Sequence, residues 1–363
     1  MARLYPTCDG SPDCIVREAA APSGCRVQYE LYLDDALEWL DRAAAESIHS
    51  VVTDPPYGVL EYTPSQLEKM KNGRGGVWRI PPAYDGCQRR PLPRFTVLND
   101  HDRQEIRSLF QRLAERLMRV LVPGAHVLIA TNPLVSYLVY EPFIAAGFEK
   151  RGEIIREVMT LRGGDRPKNA HEEFPEVTVI PRSCWEPWGL FRKPCDGRVQ
   201  DNLRKWKTGG LRRISPSEPF KDIVRSAPAR GLERQIAPHP SLKPQHFLRQ
   251  IVRASLPLGE GIVLDPFMGC GSTIAAAIAC GYRSTGVELN PEYYLMALDC
   301  IPKLAALQDS DWKYEGSGAG AGGGGRTHTF SIRNPATRLK GKAVYARSDI
   351  SVSGSKAVPR NGV

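Results

Sequence analysis

Hydrophobic and polar residues along the chain follow two periods in turn, which predicts alternating strands and helices. Short apolar runs at 51–53, 125–130 and 261–265 are typical of buried parallel strands. Apolar residues at helical spacing over 36–40 and 104–121 predict helices with one buried face. Alternating β and α units of this kind predict an α/β fold with a doubly wound, mostly parallel sheet covered by helices on both faces.

A glycine-rich turn follows the predicted strand 261–265. It contains Gly269 and Gly271, and the next strand ends on Glu288, 23 positions after Asp265. Glycines allow close approach of the backbone to a ligand, and a carboxylate at this spacing accepts hydrogen bonds from ribose hydroxyls. The pattern therefore predicts a nucleoside-binding βαβ unit, with a tight turn that binds no ligand as the alternative.

The same turn departs from the dinucleotide fingerprint. Ile274 stands where the third glycine would be, and Asp265 places a negative charge where a pyrophosphate would be repelled. A cationic nucleoside without phosphate, such as S-adenosylmethionine, suits this loop better than a nicotinamide dinucleotide.

A second motif, Asp54-Pro55-Pro56-Tyr57, comes directly after the apolar run 51–53. Two consecutive prolines remove two backbone donors and fix φ, so the segment cannot continue as an inner strand. It predicts a rigid turn at the carboxyl end of a strand, where open α/β sheets bind their ligands. The turn presents a carboxylate, backbone carbonyls and an aromatic face together.

These segments resemble the S-adenosylmethionine-dependent amino-methyltransferases of DNA. Residues 54–57 are similar to the catalytic motif of that family, 265–273 to its cofactor loop, and 239–244 to its His-Pro-x-x-Lys-Pro element. The catalytic motif precedes the cofactor motif, which resembles the permuted β class. Residues 31–36 are similar to the segment that contacts the cofactor adenine, although Asp34 replaces the usual glycine.

The resemblance implies a Rossmann-like methyltransferase fold with an inserted DNA-recognition region, and site-specific methylation of an exocyclic base amine in duplex DNA by base flipping. It implies that Asp54, Pro55, Pro56 and Tyr57 form the catalytic site. It also implies S-adenosylmethionine as cofactor. No metal site is expected, because the spacings of Cys8, Cys14 and Cys25 fit no common zinc pattern. The residues implied to bind the cofactor are Asp35, Lys243, Asp265, Phe267, Gly269, Gly271, Ser272, Thr273 and Glu288.

The target amine is predicted to be N6 of adenine, because a motif that begins with Asp resembles the adenine enzymes and Ser is more usual in cytosine-N4 enzymes. Cytosine N4, or an RNA or protein amide methylated by the same turn, stays open. A catalytically inactive DNA-binding protein is the non-enzyme alternative. A nicotinamide-dependent oxidoreductase would explain the βαβ unit but not the turn at Asp54.

The positive charge of the chain is concentrated in two segments. The 363 residues include 49 Lys and Arg against 40 Asp and Glu, a net charge of +9. Residues 182–234 carry +7, as do residues 316–363, so the rest of the chain is acidic. Segment 182–234 lies where the resembled family has its target-recognition region. The basic residues predicted to contact DNA there as a group are Arg204, Lys205, Lys207, Arg212 and Arg213.

The chain is accordingly divided into five predicted regions. They are an N-terminal extension (1–25), a catalytic half (26–181), a target-recognition insert (182–234), a cofactor-binding half (235–315) and a disordered Gly-rich basic tail (316–363). No apolar run approaches the roughly 20 residues of a membrane span, so a cytoplasmic protein is expected. The nine cysteines are expected to be free thiols. Duplex DNA is the implied partner, and a cognate restriction enzyme is a possible second one. The sequence is compatible with a monomer or a homodimer.

Overall fold

The computed structural model describes residues 14–308, apart from 23, 25, 59–67, 69–93, 159–163, 165, 168 and 230. By contacts the chain divides into a unit Met1–Lys313 and a unit Tyr314–Val363, and every described residue lies in the first. The predicted tail 316–363 and the first part of the predicted N-terminal extension lie outside the described residues, as do most of residues 61–100 in the predicted catalytic half.

The described part of the chain forms one sheet of nine strands in the order β1-β2-β9-β8-β3-β4-β6-β5-β7. Seven strands run in one direction, and β1 and β6 are antiparallel to their neighbours. The strands are β1 (Cys14–Ala20), β2 (Arg26–Leu33), β3 (Ile48–Thr53), β4 (Leu121–Ala130), β5 (Glu149–Glu157), β6 (Trp185–Arg192), β7 (Ile223–Arg225), β8 (Ile262–Asp265) and β9 (Arg283–Glu288).

Helices cover both faces of this sheet, which confirms the predicted α/β class. They are α1 (Ala36–Arg42), α2 (Asp100–Val120), α3 (Ser136–Ala145), α4 (Val199–Trp206), α5 (Gly231–Ile236), α6 (Gln245–Ser255), α7 (Ser272–Ala279) and α8 (Pro291–Ala305). In addition, Arg94–Val97 form a short 3₁₀ helix. No helix in the described part of the chain is long and apolar enough to cross a lipid bilayer.

The central strand β3 shows how the two faces are filled. All six of its residues are buried. Successive side chains of a strand point to opposite faces, so Val51 packs against α1, α2 and α3 while Val52 packs against α6 and α7. Burial on both faces is the reason that the apolar residues Val51 and Val52 are adjacent and do not alternate with polar residues.

Helix α2 illustrates how the sequence specifies an element. Asn99 and Asp102 form a capping box, with the Asp102 amide donating to Asn99 (2.8 Å) and the Asn99 amide to Asp102 (3.2 Å). The residues buried on its inner face have helical spacing and include Ile106, Phe110 and Leu113. The helix and strand predicted at 104–121 and 125–130 are therefore confirmed, with β4 beginning directly after α2.

Segment 182–234, predicted as a target-recognition insert, contributes a strand to the sheet. Residues Trp185–Arg192 form β6, which lies between β4 and β5, and Trp188 is fully buried in the core. Pro187 and Gly189 hide this strand in the sequence because both residue types are uncommon within strands. Gly189 is required there, since a Cβ would lie 2.6 Å from the ring of Tyr140.

The cysteines differ in part from expectation. Cys14 is disulfide-bonded, and its partner lies outside the described residues. The expectation of nine free thiols is therefore wrong for Cys14, because it rested on the assumed compartment and not on which cysteines the fold brings together. Among the described residues, the free thiols are Cys184, Cys195, Cys270, Cys280 and Cys300.

Candidate active site

Predicted site residues from distant segments meet where the parallel strands end, an edge we call the carboxyl edge. Asp35 follows β2, Asp54 follows β3, Gly269 lies in the turn after β8, and Glu288 ends β9. These four strands are neighbours in the sheet and run parallel. The topology therefore brings the two halves of the predicted site together, at the edge where open α/β sheets bind ligands.

The predicted catalytic turn leaves β3 as a rigid exposed corner. Asp54 is half-buried, Pro55 is buried and Pro56 is exposed. The Tyr57 ring packs edge-on against Phe95, with 4.8 Å between ring centroids. The turn thus presents one carboxylate and one anchored aromatic ring beyond the end of the strand.

A buried hydrogen bond joins this turn to the predicted cofactor loop. The Thr53 hydroxyl donates to Oδ1 of Asp265 at 2.7 Å, and the Phe267 amide donates to the same oxygen at 3.1 Å. Burial raises the pKa of Asp265 to about 6, against hydrogen bonds from Thr53 and Thr273 that lower it, while the nearby Asp54 charge raises it further. The two acidic residues of the two motifs are therefore electrostatic neighbours.

The glycines of the cofactor loop are required by the backbone and by close packing. Gly269 and Gly271 have φ of +54° and +81°, in the left-handed region that favours glycine. A Cβ on Gly271 would overlap Ile301, and one on Gly269 would lie 3.1 Å from the His239 ring. The Gly269 amide donates to Oε2 of Glu288 at 2.9 Å, so the predicted ribose-binding carboxylate also holds the loop.

Glu288 and Asp35 lie side by side at the ends of β9 and β2. Oε1 of Glu288 accepts a hydrogen bond from the Asn290 amide at 2.8 Å, and the Glu288 carbonyl accepts one from the Asp34 amide at 3.0 Å. The Asp35 carboxylate caps α1 by accepting from the Leu37 amide at 2.8 Å. Asp35 therefore has a structural role of its own beside its predicted contact with the cofactor.

The remaining residues of the loop form its base. Ser272 and Thr273 are buried where α7 begins, and Phe267 is half-buried against the core. The Ser272 carbonyl accepts a hydrogen bond of 2.8 Å from the Gln245 side chain, which ties α7 to α6. These contacts fix the loop from beneath.

The predicted cofactor residue Lys243 instead contacts the catalytic turn. Its ammonium group forms an ion pair with the Asp54 carboxylate and lies 3.9 Å from Oε1 of Glu186. Upstream in the same element, Nδ1 of His239 accepts from the Ser241 amide at 3.2 Å, which shapes the turn. Burial lowers the pKa of Lys243, but Asp54 and Glu186 together raise it above its usual range, so the ammonium stays charged.

Glu186 and Arg156 belong to the site but to no motif of the sequence. They face each other across β5 and β6, with Arg156 Nη1 donating to Oε2 of Glu186 at 3.2 Å. Trp188 Nε1 donates to Oε1 of Glu186 at 2.8 Å. The only sequence signal is the charged Glu186 within the largely apolar strand β6, which predicts a paired buried charge but not its partner.

The five basic residues predicted to contact DNA lie at the opposite end of the parallel strands, the amino edge. Helix α4 is held there by Asn202, whose side chain donates to the Pro123 carbonyl at 3.0 Å near the start of β4. Arg212 donates to the Tyr282 hydroxyl at 2.7 Å, just before β9. The length of β4, on the order of 20 Å from Gly124 to its end, separates this edge from Asp54. The structure thus does not bring Arg204, Lys205, Lys207, Arg212 and Arg213 to the catalytic turn.

Comparison with known proteins places this site in a family. A sequence model of the N6/N4 family, described as DNA methylase, matches residues 48–299, from the start of β3 into α8. The chain belongs to the N6/N4 family of DNA methylases. The match includes both the turn at Asp54 and the loop at Gly269, and it confirms the resemblance inferred from those motifs.

Individual relatives match the chain either over a short segment or at low sequence identity. The DNA adenine methyltransferase YhdJ of Escherichia coli K12 is 37% identical over 103 residues, which are 25% of this chain and 35% of YhdJ. The type II methyltransferase M.HindIII of Haemophilus influenzae is 22% identical over 293 residues, 74% of this chain and 94% of that protein. The chain thus matches about a third of YhdJ but nearly all of M.HindIII.

Among solved structures, a putative DNA modification methylase of Thermus thermophilus, TTHA0409, complexed with S-adenosyl-L-methionine, aligns with a TM-score of 0.49. It is 22% identical, and the alignment covers 76% of this chain and 93% of that one.

Proposed function

We propose that this DNA methylase transfers a methyl group from S-adenosylmethionine to N6 of an adenine flipped out of duplex DNA. The observation that carries the proposal is the Thr53–Asp265 hydrogen bond of 2.7 Å, which fixes the catalytic turn against the cofactor loop. Methyl transfer needs a nucleophile and a methyl donor held in line, and alignment of this kind supplies a large part of the rate.

Asp54 is the residue that activates the exocyclic amine as a nucleophile. The lone pair of such an amine is delocalised into the ring, so the amine is a poor nucleophile. Hydrogen bonds from the amine to the Asp54 carboxylate and the Pro55 carbonyl draw the nitrogen toward tetrahedral geometry and localise that lone pair. The methylated amine then loses one proton, and Asp54, whose pKa burial raises above its usual value, is in position to take it.

The residues at the carboxyl edge fit S-adenosylmethionine. Each Glu288 oxygen already accepts one backbone amide, and a carboxylate has lone pairs left for ribose hydroxyls. Gly269 and Gly271 allow the left-handed backbone of the loop, and Asp265 beneath it disfavours a phosphate. When bound, the cofactor supplies a methyl group activated by its sulfonium charge.

The target base must reach Asp54 from the carboxyl edge. Inside the duplex the amine is paired and the faces of its base are covered by stacking, so a methyl donor cannot approach the nitrogen in line and the nucleotide has to leave the duplex. Tyr57, anchored by Phe95, offers a ring face on which a flipped base can stack. Two observations support adenine as the target base. The motif begins with Asp, and the chain is similar to YhdJ, a DNA adenine methyltransferase.

The test is methyl transfer by the full chain. We expect label from methyl-labelled S-adenosylmethionine to enter DNA from a methylation-deficient host, and nucleoside mass spectrometry to find N6-methyladenine. Asp54→Ala should lower the rate by at least about 100-fold, since general acid–base and hydrogen-bonding groups contribute at least this much. The variant should still bind cofactor.

Two results would contradict parts of the proposal. N4-methylcytosine in place of N6-methyladenine would overturn the choice of base. Label in RNA or protein but not in DNA, or full activity of Asp54→Ala, would overturn the function itself.

A further inference from the structure

Glu186 is a charged residue beside the catalytic turn that no motif explains. It is the second residue of β6 and lies opposite Arg156 of β5. Because β6 runs antiparallel to β4, its beginning lies at the carboxyl edge. Its side chain is 20% exposed and that of Lys243 is 14% exposed, so both charges are largely removed from water.

Rigid donors hold both oxygens of Glu186. Oε1 accepts from Trp188 Nε1 at 2.8 Å and Oε2 from Arg156 at 3.2 Å. Arg156 is itself fixed, since its Nε donates to the Ser226 hydroxyl and its Nη2 to the Ala227 carbonyl, each at 3.0 Å. Glu186 is therefore a fixed negative charge, and its lone pairs are not exhausted by these donors.

Lys243 lies between this fixed charge and the catalytic carboxylate. Its ammonium contacts Asp54 and is 3.9 Å from Oε1 of Glu186. A target amine bound to Asp54 shares that carboxylate with the ammonium, and two donors on one carboxylate each bind it more weakly than one alone. A buried ammonium that leaves one carboxylate needs another acceptor, because an unpaired buried charge is strongly destabilising.

We propose that Glu186 is a positioning residue for methyl transfer: it takes over the Lys243 ammonium when the target amine binds to Asp54. The proposal rests on the proposed function. In this arrangement Lys243 pairs with Asp54 at rest and with Glu186 during the reaction, a movement of the ammonium of only a few ångströms.

The charge of Glu186 has a second consequence, for the pKa of Asp54. The charged groups that face Asp54 are Lys243, Glu186, Arg156 and Asp265. Burial raises the pKa of Asp54, Lys243 lowers it, and Glu186 raises it. Removing the Glu186 charge therefore lowers the pKa of Asp54 and strengthens its hold on Lys243.

The decisive variant is Glu186→Gln, which keeps the shape and the acceptor for Trp188. We expect kcat to fall by roughly tenfold or more while KM for cofactor and DNA changes by less than about twofold. We also expect the acid limb of the kcat–pH profile to move to lower pH. Glu186→Asp keeps the charge, so it should recover part of kcat and leave the acid limb in place.

The same strand pair offers a matched control at the amino edge. Glu149 of β5 faces Arg192 of β6 in a second Arg–Glu pair, with 2.6 Å between Oε2 and Nη2. Glu149→Gln removes an equivalent charge far from Asp54, and its kcat and acid limb should match the parent protein.

The outcomes separate the proposals. An unchanged kcat and pH profile in Glu186→Gln overturns the role of Glu186, and so does an equal loss at every pH that Glu186→Asp does not relieve. If the Gln variant does not fold, Glu186→Asp decides: full kcat would overturn the proposal, and a reduced kcat with an unmoved acid limb would support it. Failure of the proposed function is distinct, because the parent protein would then transfer no methyl group to DNA.

Discussion

The Thr53 hydroxyl and the Asp265 carboxylate, 212 positions apart in the chain, share a buried hydrogen bond of 2.7 Å at the carboxyl edge. Thr53 ends the strand that carries the catalytic turn, and Asp265 ends the strand that carries the cofactor loop. The two motifs are far apart in the sequence, but β3 and β8 pair in the sheet, and this side-chain contact joins the residues at which the two strands end.

Thr53→Val should remove the hydrogen bond between the two motifs with little change in side-chain volume. The Asp265 oxygen would lose one of its donors in a buried site, which we expect to destabilise the fold by about 1–3 kcal/mol. Cofactor affinity and kcat should both fall. Chemical denaturation and calorimetric titration with cofactor measure the two effects.

Thr53→Ser retains the hydroxyl and serves as the control for this prediction. It should keep cofactor affinity close to that of the parent protein. Equal losses in both variants would show that the methyl group of Thr53, and not its hydrogen bond, matters.

The raised pKa of Asp265 predicts a defined dependence of stability on pH. Its pKa is about 6 in the folded protein and 3.8 when unperturbed. Between these values the folded state binds more protons than the unfolded state, so stability falls as pH rises and the loss is complete above about pH 6. The shift corresponds to a loss on the order of 3 kcal/mol.

Asp265→Asn isolates this effect because the amide does not titrate. From pH 4 to pH 7 the parent protein should lose stability relative to the variant, as measured by denaturant unfolding at each pH. Parallel stability curves for the two proteins would contradict the assignment. The same ionisation brings a negative charge to the cofactor loop, so cofactor affinity of the parent protein should change through pH 6.

The residues that the sequence identified and those it missed differ in a physical way. Asp54 and Gly269 follow a strand within a few residues and Glu288 ends one, and the direction of parallel strands then determines that they share an edge. Local sequence contains that information. Their positions could therefore be predicted without knowing which strands are neighbours.

Glu186 and the partner of Lys243 required tertiary knowledge. The Lys243–Asp54 ion pair joins residues 189 positions apart, and Glu186 lies in a strand that Pro187 and Gly189 obscure. The prediction that Lys243 binds the cofactor came from its motif alone. No local pattern shows which carboxylate a buried lysine will meet.

Tyr57→Ala should weaken the binding of a flipped base. Stacking on an aromatic ring contributes about 1–3 kcal/mol per base, so KM for DNA should rise while cofactor affinity stays constant. A duplex with 2-aminopurine at the target position reports flipping by its fluorescence. Tyr57→Phe keeps the ring against Phe95 and should behave like the parent protein, whereas a loss in both variants would assign the effect to the hydroxyl.

The DNA contacts predicted for Arg204, Lys205, Lys207, Arg212 and Arg213 remain a prediction, and their place at the amino edge gives it a definite form. A short duplex seated at the carboxyl edge cannot reach them without a sharp bend, which costs several kcal/mol. Replacing all five with Gln should therefore leave kcat and KM on a short target duplex unchanged. Long DNA should lose non-specific affinity, and its binding should depend less steeply on salt, because each lost phosphate contact removes about one released counterion. A large rise in KM on the short duplex would instead show that these residues lie beside the target, and that the target base enters from another side than the carboxyl edge.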